Sequence, residues 1–284
     1  MDYPKSVPNV GLVNGKFVDE NTATGVVGSL IPSAWGNGVT DELLAVITAA
    51  QLVPAEANHG QLLEAINALT VGRLIGVKVF TANGTYTPTP GAKSAIVKLV
   101  GGGGGGGGSP ATNASQVGVG SGGASGSYGE RRIASGLVAT AVTVGAGGVG
   151  GVGSSTGGGA GGTSSFGSLI SATGGNGGGG YGPTSPPLNA GTNNTGASVI
   201  GANVIGIVSQ VPQIAFISSL TVGYSGAGAH GALGAGGPLT NVSQGGNFGG
   251  GYGAGGAGAL SLQNAATASG GAGSPGIVIV YEYA

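Results

Sequence analysis

No cysteine occurs in the 284 residues, which removes disulfides and thiolate metal centres. Charge is nearly as scarce. Only 6% of residues are Asp, Glu, Lys or Arg, and the formal net charge is −1, which argues against electrostatic docking on nucleic acid or an anionic membrane. From Ile133 to Tyr281 none of these four residues appears, and His230 is the only group there that titrates near neutrality. A Ser/His/Asp hydrolase needs an oriented base, and a glycosidase needs two carboxyl groups flanking the bond. This long interval offers neither. A phosphate loop needs a Gly-Lys-Ser/Thr ending. Gly91-Ala92-Lys93-Ser94 lacks the Gly-Lys pair, and Gly15-Lys16 is followed by Phe17. His, Asp and Glu do not cluster as a metal site would require. No run of apolar residues is long enough for a transmembrane helix, and Met1-Asp2-Tyr3-Pro4-Lys5 has no basic-then-apolar leader pattern. The expectation is a protein without catalysis, cofactor, metal, nucleic-acid binding or membrane insertion.

What is abundant is glycine. Of 69 glycines, 58 fall in residues 101–284, and residues 101–108 are glycine without interruption. Each costs about 0.5–1 kcal/mol relative to alanine in an ordered element, so something specific must offset the loss. Close approach of backbones can do so. Without a Cβ, each N–H can meet a neighbouring C=O, supported by Cα–H···O contacts. Segments of the polyproline II type have three residues per turn and no internal hydrogen bonds, so they must satisfy one another. A flexible Gly/Ser linker would lack the apolar runs found at residues 95–100, 138–144, 198–208, 214–222 and 276–283. Disorder also fits poorly with so little charge and a mean hydropathy of +0.31. Eight consecutive glycines break the Gly-X-Y period of collagen, and no Asp follows Asp41 to make calcium-binding repeats.

The front of the chain is different. Asp2, Asp19, Glu20, Asp41, Glu42 and Glu56 all lie there. Residues 1–37 read as an irregular arm, with a tight hairpin at Asn14-Gly15. A helix is expected over 40–51, with Thr40 as cap, Asp41 and Glu42 in its first turn, and Leu43, Leu44, Val46 and Ile47 as its apolar face. A second is expected over 59–71, where Asn58 caps and Leu62, Leu63, Ile66 and Leu69 recur at helical spacing. His59 reads as a solvated turn residue. Two short helices cannot bury such stripes alone, so a threefold axis or a neighbouring protein would cover them. From residue 77 the pattern turns to strands, roughly six to nine of them, with glycine blocks as excursions. The last, Ile277–Tyr283, has the two-faced apolarity of a central strand.

Aromatic and amide side chains stand beside the glycine blocks. Tyrosine is rigid and amphipathic, which suits recognition surfaces. The candidate contact residues are Tyr181, Asn193, Asn194, Tyr224, Phe248 and Tyr252.

Residues 77–108 and 126–180, with the ending from Pro275 to Ala284, resemble the glycine-rich C-terminal domain of tail fibre proteins from tailed bacteriophages and prophages. The resemblance is carried by Phe80-Thr81-Ala82-Asn83-Gly84-Thr85-Tyr86-Thr87-Pro88, the strand running into Gly101–Gly108, and Ala141-Val142-Thr143-Val144-Gly145-Ala146-Gly147-Gly148. Ser165-Phe166-Gly167 and Ala172-Thr173-Gly174-Gly175 add to it. Residues 2–37 resemble N-terminal segments of fibre proteins from phages of Gram-negative bacteria. The resemblance implies a non-enzymatic receptor-binding protein in the virion, made in the host cytoplasm and usually homotrimeric. Its partners would be a cell-surface receptor (lipopolysaccharide, a pilus or an outer-membrane protein) and the baseplate or tail. Tyr3, Pro4, Val10, Phe17 and Trp35 would serve the tail attachment. The rival readings are a structural tail or baseplate connector and a surface-polysaccharide depolymerase. The expected fold is mainly β with polyglycine II-like segments, preceded by a short arm and two short α-helices. It divides into an attachment arm (1–37), a helical trimerisation or connector segment (38–76) and a glycine-rich β receptor-binding domain (77–284).

Overall fold

A computed structural model of the chain describes residues 5–191 and 198–284. The chain forms two compact units, Met1–Arg73 and Leu74–Ala284.

The first unit opens with two small turns. Val13 and Lys16 exchange backbone hydrogen bonds around Asn14 and Gly15, whose φ values of 52° and 75° are those of the expected two-residue turn. Asn21 then bridges Val26, its side-chain oxygen accepting from the Ala23 and Thr24 N–H groups. Two helices follow, α1 (Ser33–Ala49) and α2 (Gln61–Leu69). The helix expected from residue 40 starts seven residues earlier. Pro32 sits at its N-cap without a side-chain cap, and the Thr40 hydroxyl donates back to the Gly36 carbonyl instead of capping. Trp35 therefore lies in α1, its ring edge-on to Phe17 at 5.1 Å. At α2 the N-cap is Gly60 rather than Asn58. Asn58 accepts from the Gly60 N–H, and Gln61 reaches back to Ala55 and Val53.

The second unit is mainly β. The described residues form sixteen strands, against the six to nine expected, because many are only two to four residues long. Ten of them build a sandwich. One sheet runs in the order Leu74–Phe80, Ile277–Tyr283, Ser94–Val100, Tyr128–Ile133, Ile205–Ile207, all antiparallel. The facing sheet runs Val199–Ile200, Ile170–Ala172, Ser164–Phe166, Thr140–Thr143, Gly84–Tyr86. Alternate residues of the long strands turn inward, so Ala95, Val97, Leu99, Val278 and Val280 meet Tyr86, Val142, Phe166, Ile170 and Ala172. The final strand is paired on both sides, as its composition implies.

Six strands of the sandwich run on into glycine segments, and these carry their register with them. Val100 faces Tyr128, and one residue later Gly101 donates to Ser127. Ile277 faces Val100, and Gly103 donates to Ser274. From there the partners of residues 101–108 rotate. Gly101, Gly104 and Gly107 donate to Ser127, Ala124 and Ser121. Gly102, Gly105 and Gly108 donate to Gly162, Gly159 and Thr156. Gly103 and Gly106 donate to Ser274 and Gly271. The carbonyls rotate likewise. Gly102 and Gly105 accept from Gly175 and Gly178, Gly103 and Gly106 from Gly148 and Gly151, and Gly104 and Gly107 from Gly256 and Ala259. A repeat of three with no bond inside the run is the bonding scheme of a polyproline II-type helix, not of a sheet. The run is thus held by six neighbours, three descending in number where it ascends and three ascending with it.

The geometry explains why this run is all glycine. A Cβ on any of residues 101–108 would lie 1.9–2.3 Å from a carbonyl oxygen, taken in turn from the three parallel neighbours: Thr173, Ala146, Ala254, Asn176, Val149, Ala257, Gly179 and Val152. At the rim the constraint relaxes. In residues 145–152 every third position carries a side chain, and Ala146, Val149 and Val152 are exposed.

Candidate functional site

The lattice has two unlike ends. At one, the rods become the sandwich, and both termini of the unit, Leu74 and Ala284, lie there. All charge of the unit is gathered at this end. Glu282 is buried, accepting from the Tyr86 hydroxyl at 2.8 Å and from the Thr89 N–H and hydroxyl, with Lys78 at 3.9 Å. Burial alone would raise its pKa. The Thr89 and Tyr86 donors and the Lys78 charge outweigh it and hold the carboxyl below its usual range. The same burial, with the carboxylate beside it, raises the Tyr86 phenol. Glu130 takes the Tyr128 hydroxyl and pairs with Lys98 at 3.2 Å.

At the far end the rods close over a second, smaller apolar cluster of Val117, Val119, Ala190, Ala215, Ile217 and Leu260. The loops around it, residues 109–116, 153–155, 182–190, 218–222, 238–243 and 262–267, contain no Asp, Glu, Lys or Arg. One patch stands out there. The Ser225 N–H donates to the Thr240 carbonyl, and the Thr240 N–H donates to the Ser225 hydroxyl. These bonds bring residues 222–224 beside residues 239–242. Thr240 also donates to the Val242 carbonyl and accepts from the Gln244 amide, which fixes the second loop. The result leaves Val222 60%, Tyr224 42%, Leu239 42% and Val242 54% exposed, with Thr221, Asn241 and Ser243 alongside. Apolar side chains rimmed by neutral polar ones are a common recognition surface.

The expected contact residues do not converge. Tyr181 and Tyr224 stand at the far end. Tyr181 packs against the Val117 cluster, and its hydroxyl donates to the Gly191 carbonyl at 2.6 Å. Tyr224 lies across the strand pair from Phe216, rings 6.0 Å apart. Phe248 is 74% exposed on the flank, within the rod of residues 244–250. Tyr252 packs on Val100, Tyr128 and Ile277 at the sandwich end. Asn193 and Asn194 lie outside the described residues, as do Tyr3 and Pro4. Of the residues expected to serve attachment, Val10 is 4% exposed, and Phe17 and Trp35 contact one another. Sequence reasoning missed Val222, Leu239 and Val242. Their signal was an aliphatic residue set inside a turn-type string, as in Pro238-Leu239-Thr240-Asn241-Val242.

Among the described residues no group of three or more His, Asp or Glu could hold a metal ion, and no helix is long and apolar enough to cross a membrane. No protein-family model matches the chain, and no curated protein matches it.

Proposed function

We propose that the chain is a bacteriophage tail fibre protein that attaches the virion to the host cell surface and performs no catalysis. The observation that carries this reading is the polarity of the second unit. Both of its termini leave from the charged sandwich end, and a neutral loop surface stands at the other end of a lattice made of backbone. Such a lattice is a rigid spacer: it has few side chains to rearrange and offers its loops at a fixed place. The sequence resemblance to tail fibres supplies the partner class. The Val222–Tyr224–Leu239–Val242 patch, with Tyr181 beside the same cluster, would meet the receptor. The first unit would join the tail. The α1–α2 pair would form a homotrimer contact, since Leu43 is 44%, Leu63 65%, Ile66 46% and Leu69 50% exposed on it.

Absence of catalysis is supported by the engagement of both carboxylates of residues 101–284, Glu130 and Glu282, in internal bonds. The test is adsorption. Purified chain should bind host cells and compete with phage attachment. A Val222→Ser, Tyr224→Ser, Val242→Ser variant should lose both while keeping its thermal transition. Cell binding that survives this variant would move the receptor site elsewhere. Absence of cell binding by the native chain, with capture by tail proteins instead, would favour the structural connector. Shortening of host lipopolysaccharide would favour the depolymerase.

A further inference from the structure

A second surface feature lies at the seam where the rods meet the sandwich. A cleft of about 270 Å³ opens between three stretches far apart in sequence, lined by Ser125, Tyr128, Ile207, Val208, Gln210 and His230 among others. Its walls are of two kinds. Ile207 and Val208 are exposed aliphatic side chains, 42% and 61%, and the lining also holds Gln210 and His230, whose bonding capacity the described residues leave partly unused. The Ser125 hydroxyl is buried and accepts from the Gln210 N–H, which fixes the backbone of that wall. The Gln210 carboxamide makes no hydrogen bond among the described residues. His230 accepts from the Gly236 N–H through Nδ1 at 3.3 Å, so the neutral ring carries its proton on Nε2, which has no partner among the described residues. One donor–acceptor pair and one donor thus line a cavity with an apolar side.

We propose that this cleft binds the ring of an uncharged sugar. The lining offers no fixed charge to a ligand. Glu130, the nearest carboxylate in sequence, is taken up by the Tyr128 hydroxyl and by Lys98. An anion would meet no Lys or Arg among the lining residues, and a cation no Asp or Glu. A pyranose has an apolar face for the aliphatic wall and ring hydroxyls for Gln210 and Nε2 of His230. The volume suits one ring, not an oligosaccharide. The site does not depend on the adhesion reading. Sugar binding without attachment to cells would leave this proposal standing and overturn that one.

Saturation-transfer NMR on the full chain tests it, with the methyl glycosides of glucose, galactose, mannose and N-acetylglucosamine as probes. At least one should receive saturation with millimolar affinity, as expected for a ligand of about a dozen heavy atoms. The transfer should vanish in a Gln210→Ala, His230→Ala variant. It should vanish equally in Ile207→Trp, which fills the cleft from an exposed position. Both variants should keep the amide protection of residues 101–108. The proposal is overturned if no glycoside responds to the native chain, or if the response persists in the folded variants.

Discussion

The sandwich and the glycine lattice of the second unit solve one problem by opposite means. In the sandwich, side chains exclude water, and Tyr86, Leu99, Phe166 and Ile170 fill the space between sheets. In the lattice, side chains are removed, so that each backbone can bond to neighbours on every side. The comparison shows where each region stores its information. Inward-facing Val, Leu and Phe fix register in the sandwich, because a one-residue slip would turn them outward. The glycine run has no such mark. Its register is inherited from the strands that lead into it, as the step from Val100–Tyr128 to Gly101–Ser127 shows. The sandwich therefore serves as the template, and the lattice extends it.

A single methyl group can probe that difference. Gly106→Ala should do the most harm, because its Cβ would stand 1.9 Å from the Ala257 carbonyl oxygen, with rods on every side. The expected loss is about 3 kcal/mol or more, at or beyond the upper end of ordinary overpacking, read from the urea midpoint. Glu282→Gln should cost about 2–3 kcal/mol at neutral pH by weakening the bonds from Tyr86 and Thr89. The native carboxyl titrates below its usual value of 4.5. Its contribution is therefore complete above about pH 4.5 and disappears as pH falls through the lowered folded-state value, and the glutamine variant should show less of this acid sensitivity. Ile170→Val removes one methyl from the sandwich and should cost only about 0.5–1.5 kcal/mol. Gly157→Ala sits at the rim, where a Cβ meets nothing closer than 3.4 Å, and should stabilise by about 0.4–1 kcal/mol. If Gly106→Ala and Gly157→Ala shift the urea midpoint equally, the lattice does not distinguish interior from rim.

The sequence was most readable where side chains carry a period. The apolar final strand, the two helices and the Asn14-Gly15 turn could all be read in it. The start of α1 could not, because Gly36 and Gly38 lower helix propensity and Thr40 looks like a cap. The short strands within residues 198–224 were also hidden. Their apolar run is divided among three sheets, a partition that depends on distant partners. Which glycine segments would be neighbours was invisible, since glycine marks no face. One clue was present all the same. Side chains recur at every third position in Ala146, Val149 and Val152, and again in Ala254 and Ala257, and this spacing belongs to threefold rods rather than to strands. The exposed far-end patch was legible only in part. Tyr224 stood out as an aromatic beside glycines, but Val222, Leu239 and Val242 gained meaning from the Ser225–Thr240 link, which joins loops fifteen residues apart.

Amide hydrogen exchange of the native protein, resolved by residue, tests the lattice most directly. The N–H groups of Gly101–Gly108 are all bonded to neighbouring segments, whereas those of Gly157 and Ala160 find no acceptor among the described residues. Residues 101–108 should exchange only as slowly as the unit unfolds, with Gly157 and Ala160 faster by several orders of magnitude. Rapid exchange throughout 101–108 in the folded protein would mean that the backbone bonds do not hold, and the rigid spacer would be lost with them.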